Sequence, residues 1–249
     1  MSSNANEPAE AQMEGALFRT TNWDLVAGAA DAESAGWSQS MESLCQLYWR
    51  PVYGFIRKRG HSPESAEDLT QEFFFRLLQS DFLEMADRSR GRFRSFLMAS
   101  IDNFLRVEHR NATTQKKGGG WQRLAWDDED VEGAIQAELA DASTPELIFE
   151  REWGRTLLGK VLRTLEEEFV AAGRSVFFQT LKPHLAGDPG ALPYQEIAVS
   201  AGASLTGIKV SVHRARKRYQ ELLRAEVARI VSAPAEIDDE LRHLLRILA

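Results

Sequence analysis

A single cysteine, Cys45, among 249 residues leaves no disulfide to form. A stapled secreted scaffold is excluded, and so is a cysteine-rich zinc site. The five histidines show no metal-ligand spacing, so no metal or other cofactor is expected. The opening MSSNANEPAEAQMEG has neither the basic start nor the apolar stretch of a secretory signal. No apolar run approaches the roughly 20 residues a membrane span needs. A soluble, cytoplasmic protein without membrane contact is therefore expected. Alternating apolar and polar runs rich in Val, Ile and Thr are also missing, and helical spacing dominates. The expected fold is all-α. One stretch, GRTLLGKV from Gly154 to Val161, nearly spells a phosphate-binding loop. It lacks the Ser/Thr after the Lys and has no strand before it, so it reads as helix. No catalytic constellation appears, and an enzyme is not expected.

What the sequence does carry is patterned charge. The net charge is −7, yet it is unevenly spread. Residues 86–124 hold nine Arg/Lys and three acids, a balance of +6. Residues 125–150 hold nine acids and no Arg/Lys, or −9, and residues 205–224 hold six Arg/Lys and one acid, or +5. Local charge of this kind, more than the total, steers a chain onto phosphates.

Read in order, residues 1–20 are polar, acidic and without periodicity, as in a disordered extension. Thr21 to Asp24 resembles a capping box that would open a first helix. A second helix is predicted over about 38–59, with Met41, Leu44, Cys45, Tyr48, Val52, Phe55 and Ile56 on one stripe and a kink at Pro51. Ser62-Pro63 restarts the chain as N-cap and first position. The helix that follows, about 63–79, has an apolar face of Ala66, Leu69, Phe73 and Leu77. Asp68, Gln71, Glu72 and Phe75 share a second face. A basic loop, 87–94, leads into a helix that buries Phe93, Phe96, Leu97, Ile101, Phe104 and Leu105. Asn103, Arg106 and Arg110 lie on another of its sides. Residues 116–143 read as an acidic linker beginning with a Gly-rich basic hinge. Thr144-Pro145-Glu146 is a helix start. It opens a long amphipathic helix to about Ala172 and a shorter one, about 174–182, stopped by Pro183.

Residues 194–218 are the most informative. A short helix meets a turn at Gly202, and Ser204 can cap a second helix. In that second helix Ile208, Val212, Ala215, Tyr219 and Leu222 make the buried stripe. The opposite side carries Thr206, Lys209, Val210, His213, Arg214 and Lys217, a cationic, hydrogen-bonding face suited to a major groove. Arg216 and Arg218 flank it and suit phosphates. The tail, 233–249, forms an amphipathic helix through Ile237, Leu241, Leu244, Leu245 and Leu248. It is expected either to pack on the domain before it or to present a surface to a regulator.

These pieces resemble a family. HSPESAEDLTQEFFF (His61 to Phe75) is similar to the helix of sigma factors that binds the β′ clamp of RNA polymerase. SRGRFRSFL (Ser89 to Leu97) and IDNFLR (Ile101 to Arg106) resemble the loop and helix that melt and read the −10 element. PYQEIA (Pro193 to Ala198) with GIKVSVHRAR (Gly207 to Arg216) resembles the helix-turn-helix that reads the −35 element. Order and size are similar to the extracytoplasmic-function subgroup of the sigma-70 family.

The resemblance implies a sigma-2-like domain over 21–115 and a sigma-4-like domain over 144–232. Asp68, Gln71, Glu72 and Phe75 would contact core polymerase. Arg88, Arg90, Arg92, Phe93 and Arg94 would cradle a flipped −10 base, and Asn103, Arg106 and Arg110 would hold −10 DNA. Thr206, Lys209, Val210, His213, Arg214, Arg216 and Lys217 would meet the −35 element. Core polymerase (β′ clamp and β flap) and promoter DNA are the implied partners, and an anti-sigma factor or a kinase stays open as a silencing regulator. The acidic run Asp127 to Asp130 could mimic nascent RNA. Val210 stands where the family more usually has a polar residue. The competing reading is a helix-turn-helix regulator that binds a palindromic duplex as a dimer.

Overall fold

The computed structural model describes residues 22–31, 35–79, 83, 93–112, 131–140, 142–231 and 233–249. Among these residues the regular structure is helical throughout: α1 Asn22–Ala30, α2 Trp37–Lys58, α3 Pro63–Gln79, α4 Phe93–Ala112, α5 Val131–Leu139, α6 Pro145–Ala171, α7 Ser175–Ala186, α8 Tyr194–Ser200, α9 Leu205–Ala228 and α10 Ile237–Leu248, the last preceded by a 3-10 turn at Pro234–Glu236. None of them is long and apolar enough to cross a membrane. Two compact units emerge: Met1–Arg155 with Arg229–Ala249, and Thr156–Ala228. The division falls inside α6 rather than at its expected start, and the tail joins the first unit.

In the first unit α2 is the central element. The predicted stripe is buried apart from a half-buried Cys45, with Val52, Phe55 and Ile56 fully enclosed. Leu47, Trp49 and Tyr53 are buried too, because α1, α3 and α5 all pack on α2. The helix runs through Pro51 without interruption. Proline there removes the N–H that would have bonded the Leu47 carbonyl, and its ring crowds that carbonyl. Gly54 allows a close approach to the start of α6: a Cβ on it would stand 3.0 Å from the Ile148 side chain. Trp37 fastens α1 by donating its indole N–H to the Ala29 carbonyl at 3.0 Å. Thr21 of the expected capping box lies outside the described residues.

Ser62 caps α3, its Oγ accepting the Ser65 amide at 3.3 Å. The buried side of α3 is Ala66, Thr70, Phe73, Phe74 and Leu77, whereas Leu69 is half-exposed. Phe74 enters the core by stacking on Trp49 at 5.9 Å, and Phe73 meets Phe104 edge-on at 5.6 Å. Aromatic pairing therefore sets the helix rotation. Thr70 is tolerated inside because its hydroxyl donates to the Ala66 carbonyl at 2.6 Å.

Two expectations are overturned in this unit. The segment read as a linker contains α5, which docks on α2. Ile135 is fully buried. Glu132 accepts Arg57 Nη2 at 2.6 Å and the Tyr53 hydroxyl at 2.5 Å. The acidic composition that suggests a solvated tether instead matches a basic, aromatic face. The C-terminal helix α10 also belongs to the first unit, not to the unit that precedes it in sequence. It lies on residues 151–155 of α6, where Gly154 makes room for Leu244 and Ile247.

The second unit takes in the rest of α6, α7, α8 and α9. The predicted stop at Pro183 is overrun: α7 continues to Ala186 and ends at Gly187 in a left-handed conformation. Its core joins Leu181, Ile197, Ala198, Ile208, Val212 and Ala215, with Phe169, Phe177, Leu185 and Tyr194 closing the edges.

Candidate nucleic-acid interface

The turn between α8 and α9 is a Schellman closure. The Ala203 amide donates to the Ala198 carbonyl at 2.9 Å and the Gly202 amide to Val199 at 3.3 Å. Gly202 sits at φ +60°, which a side chain would strain. Ser204 then caps α9, its Oγ accepting the Gly207 amide at 3.0 Å. Ile208, Val212 and Ala215 face the core, so helical geometry turns Thr206, Lys209, Val210, His213, Arg214, Arg216 and Lys217 outward. All seven are exposed. Val210, 41% exposed, is the one apolar member of this cationic face.

The two flanking arginines are less free than their positions suggest. Arg216 donates from Nη2 to the His184 carbonyl at 3.0 Å, which ties α9 to α7. Arg218 forms a fork on Glu168, with Nη2 at 2.6 Å and Nε at 2.9 Å, and also reaches Glu221. The hydrogen bonds from Arg218 hold the Glu168 carboxyl below its ordinary range, and those to Glu168 and Glu221 push the guanidinium further up. Arg218 is committed to the fold rather than offered to phosphate.

In the first unit, Asn103, Arg106 and Arg110 are exposed along α4. Arg88, Arg90 and Arg92 lie outside the described residues. Phe93 is buried, as the helical stripe predicts but against the base-cradling role, and Arg94 is buried against expectation. Phe93 packs edge-on against Tyr48 at 5.4 Å and stacks on Phe96 at 5.9 Å, so its ring is part of the core. Arg94 is 1% exposed. Its Nε is 3.1 Å from Glu150, its Nη2 is 2.7 Å from Glu240, and its guanidinium lies 3.6 Å from the centre of the Trp153 ring. Glu240 is equally buried at 1%. The approach to Glu240 lies off the hydrogen-bonding line, so charge holds this pair more than aligned donors do. Removing one partner from such a buried pair costs about 3–5 kcal/mol, since it strands the other. His243 adds its Nε2 at 3.0 Å from Glu150. Sequence reasoning misses Glu150, Trp153, Glu240 and His243 because nothing local links them to the basic loop.

On α3, Asp68 is exposed and Phe75 half-buried. Glu72 pairs with Arg76 at 2.8 Å one turn on, and Arg76 reaches Glu108 of α4 at 2.5 Å. Gln71 is half-buried, with its Nε2 enclosed and lacking a hydrogen-bond partner. Asp68, Gln71, Glu72 and Phe75 thus share one face of α3, with Asp68 exposed, the other three half-buried and Glu72 partly neutralised by Arg76.

Residues 44–114 match the family model of Sigma-70 region 2. The match spans most of α2, all of α3 and α4, and so includes both the acidic strip and the Asn103 side of α4. It supports a sigma-70 family sigma factor acting in transcription initiation. No curated protein and no solved structure matches this chain.

Proposed function

We propose that this protein is an extracytoplasmic-function-type sigma factor, which directs core RNA polymerase to particular promoters and helps open the −10 element. The first unit would grip the β′ clamp through Asp68, Gln71, Glu72 and Phe75, with acids meeting a basic partner and Phe75 as apolar anchor. Asn103, Arg106 and Arg110 would lie along −10 DNA. The second unit would insert α9 into the major groove of the −35 element, with Lys209, His213 and Arg214 toward bases and phosphates, while another part of the unit meets the β flap.

The observation that carries this reading is the Sigma-70 region 2 match over 44–114. It favours a polymerase subunit over a dimeric operator-binding regulator, since such a regulator has no need of that region. The exposed cationic side of α9 is what a second DNA contact requires. The test is in vitro transcription with purified core polymerase on fragmented genomic DNA, followed by mapping of RNA 5′ ends. Initiation at defined positions only in the presence of this protein is the expected result. Core polymerase that starts no more specifically with it than without it sinks the proposal.

A further inference from the structure

We propose that α10 is an intramolecular latch: by burying Glu240 against Arg94 it withholds the Arg94 guanidinium from nucleic-acid phosphate, and its release returns that charge to the surface. The biological meaning of such a latch rests on the sigma-factor reading, but its chemistry is tested separately.

Four observations converge on it. Arg94 falls inside the segment that matches Sigma-70 region 2, at the second position of α4, the helix that carries Asn103, Arg106 and Arg110. It is nevertheless buried, and Glu240 from α10 is one of the carboxylates that hold it there, beside Glu150. Its Nη1 has no hydrogen-bond partner, so the guanidinium is enclosed without being fully used. A side chain serving only the core would be expected to have its donors filled.

The attachment of α10 is also of a separable kind. The helix has 12 residues, too few to be stable alone in water, so detachment means unfolding of one short segment. Beyond the Glu240 pair, its hold includes Leu244 and Ile247 over Gly154, Arg151 Nε donating to the Ile247 carbonyl at 3.0 Å, and His243 on Glu150. The side of the helix turned to solvent carries Asp238, Asp239, Arg242 and Arg246, with Leu245 the one apolar residue fully exposed among them. A released Arg94 still has Glu150 beside it, but its Nη edge, now facing Glu240, would turn to an anion of similar geometry. Phosphate oxygens fit that fork.

The experiment uses the full chain and a fluorescein-labelled single-stranded oligothymidylate as probe. Gly154→Val crowds the seat of Leu244 and Ile247 without touching a charge, and Glu240→Gln removes the pairing charge at nearly constant shape. Amide hydrogen exchange over 237–248 reports release, and far-UV circular dichroism with thermal melting reports the fold. In the variants that release α10, affinity for the probe should rise several-fold. The plot of log K against log salt should steepen by about 0.7, one further phosphate on a single strand. Adding Arg94→Ala to either variant should abolish the increase.

Fast exchange in α10 with unchanged affinity overturns the latch, as does an increase that survives Arg94→Ala. An α10 that stays protected in both variants is ordinary core, which overturns it equally. Promoter-specific initiation by the wild-type chain is measured in parallel. Tighter binding with no initiation by any variant keeps the latch and removes the sigma-factor reading. Initiation without tighter binding keeps the reading and removes the latch.

Discussion

Glu168 near the end of α6 holds Arg218 of α9 in a two-pronged grip, at 2.6 and 2.9 Å. The side chains are partly exposed, so the pair contributes on the order of 0–1 kcal/mol, at the upper end for its forked geometry. Arg218→Ala should therefore lower the thermal midpoint slightly and leave the salt slope of duplex binding unchanged. A slope reduced by about 0.9, one phosphate's worth, would show that the arginine leaves Glu168 when DNA arrives.

Lys209 and Arg214 stand on the exposed side of α9, where no such carboxylate fork is seen among the described residues. The double variant Lys209→Ala/Arg214→Ala should weaken binding to a −35 duplex and flatten log K against log salt by about 0.9 for each phosphate no longer neutralised. Fluorescence anisotropy across a salt series checks both quantities at once. Unchanged binding would remove α9 as the reading element.

Asp68 sits on open surface, so reversing its charge leaves the core untouched. Asp68→Arg should abolish co-purification with core polymerase while keeping folding stability within about 0.5 kcal/mol of the parent's. Normal co-purification would remove the acidic strip of α3 from the interface.

The docking of α5 should depend on pH. Burial by itself would raise the Glu132 carboxyl, but hydrogen bonds from Arg57 and Tyr53 outweigh it and hold the group below its ordinary value of 4.5. A folded-state value below the unfolded one means that the stabilisation is complete above the unfolded value. It is lost as pH falls through the lower, folded value. The protection factor for hydrogen exchange over 131–139, which corrects for the intrinsic slowing of exchange in acid, should accordingly fall as pH drops through the lowered Glu132 titration. In Glu132→Gln that protection should already be low at neutral pH and change far less with acid.

Gly202 offers a conformational test. Its φ is +60° and nothing lies within 4 Å of where a Cβ would stand, so Gly202→Ala meets no clash and adds only left-handed strain. The expected cost is about 1–2 kcal/mol, read as a lower melting temperature of the second unit and weaker duplex binding. An unchanged melt would mean that the turn relaxes freely.

How legible these features are in the sequence depends on how far apart the interacting residues lie. Ile208, Val212 and Ala215 repeat at helical spacing, so the buried side of α9, and with it the exposed Lys209 and His213, follows from periodicity alone. Ser62, Thr144 and Ser204 announce helix starts through capping chemistry that acts over three residues. Arg94 is misplaced by sequence reasoning because its neighbours are basic. What fixes its position is Trp153, Glu150 and Glu240, which no local pattern connects to it. Composition likewise suggests a tether at 131–139, since the acid count hides that Glu132 faces Arg57 and Ile135 faces the core.

The first unit is closed by residues made after those of the second. During synthesis on the ribosome, α2, α3 and α4 must therefore wait while residues 156–228 are made, with Arg94 still lacking Glu240. A chain cut short before Glu240 would carry a cation short of one of its carboxylates. Chaperones and proteases that survey nascent chains would meet a first unit not yet closed by its last helix.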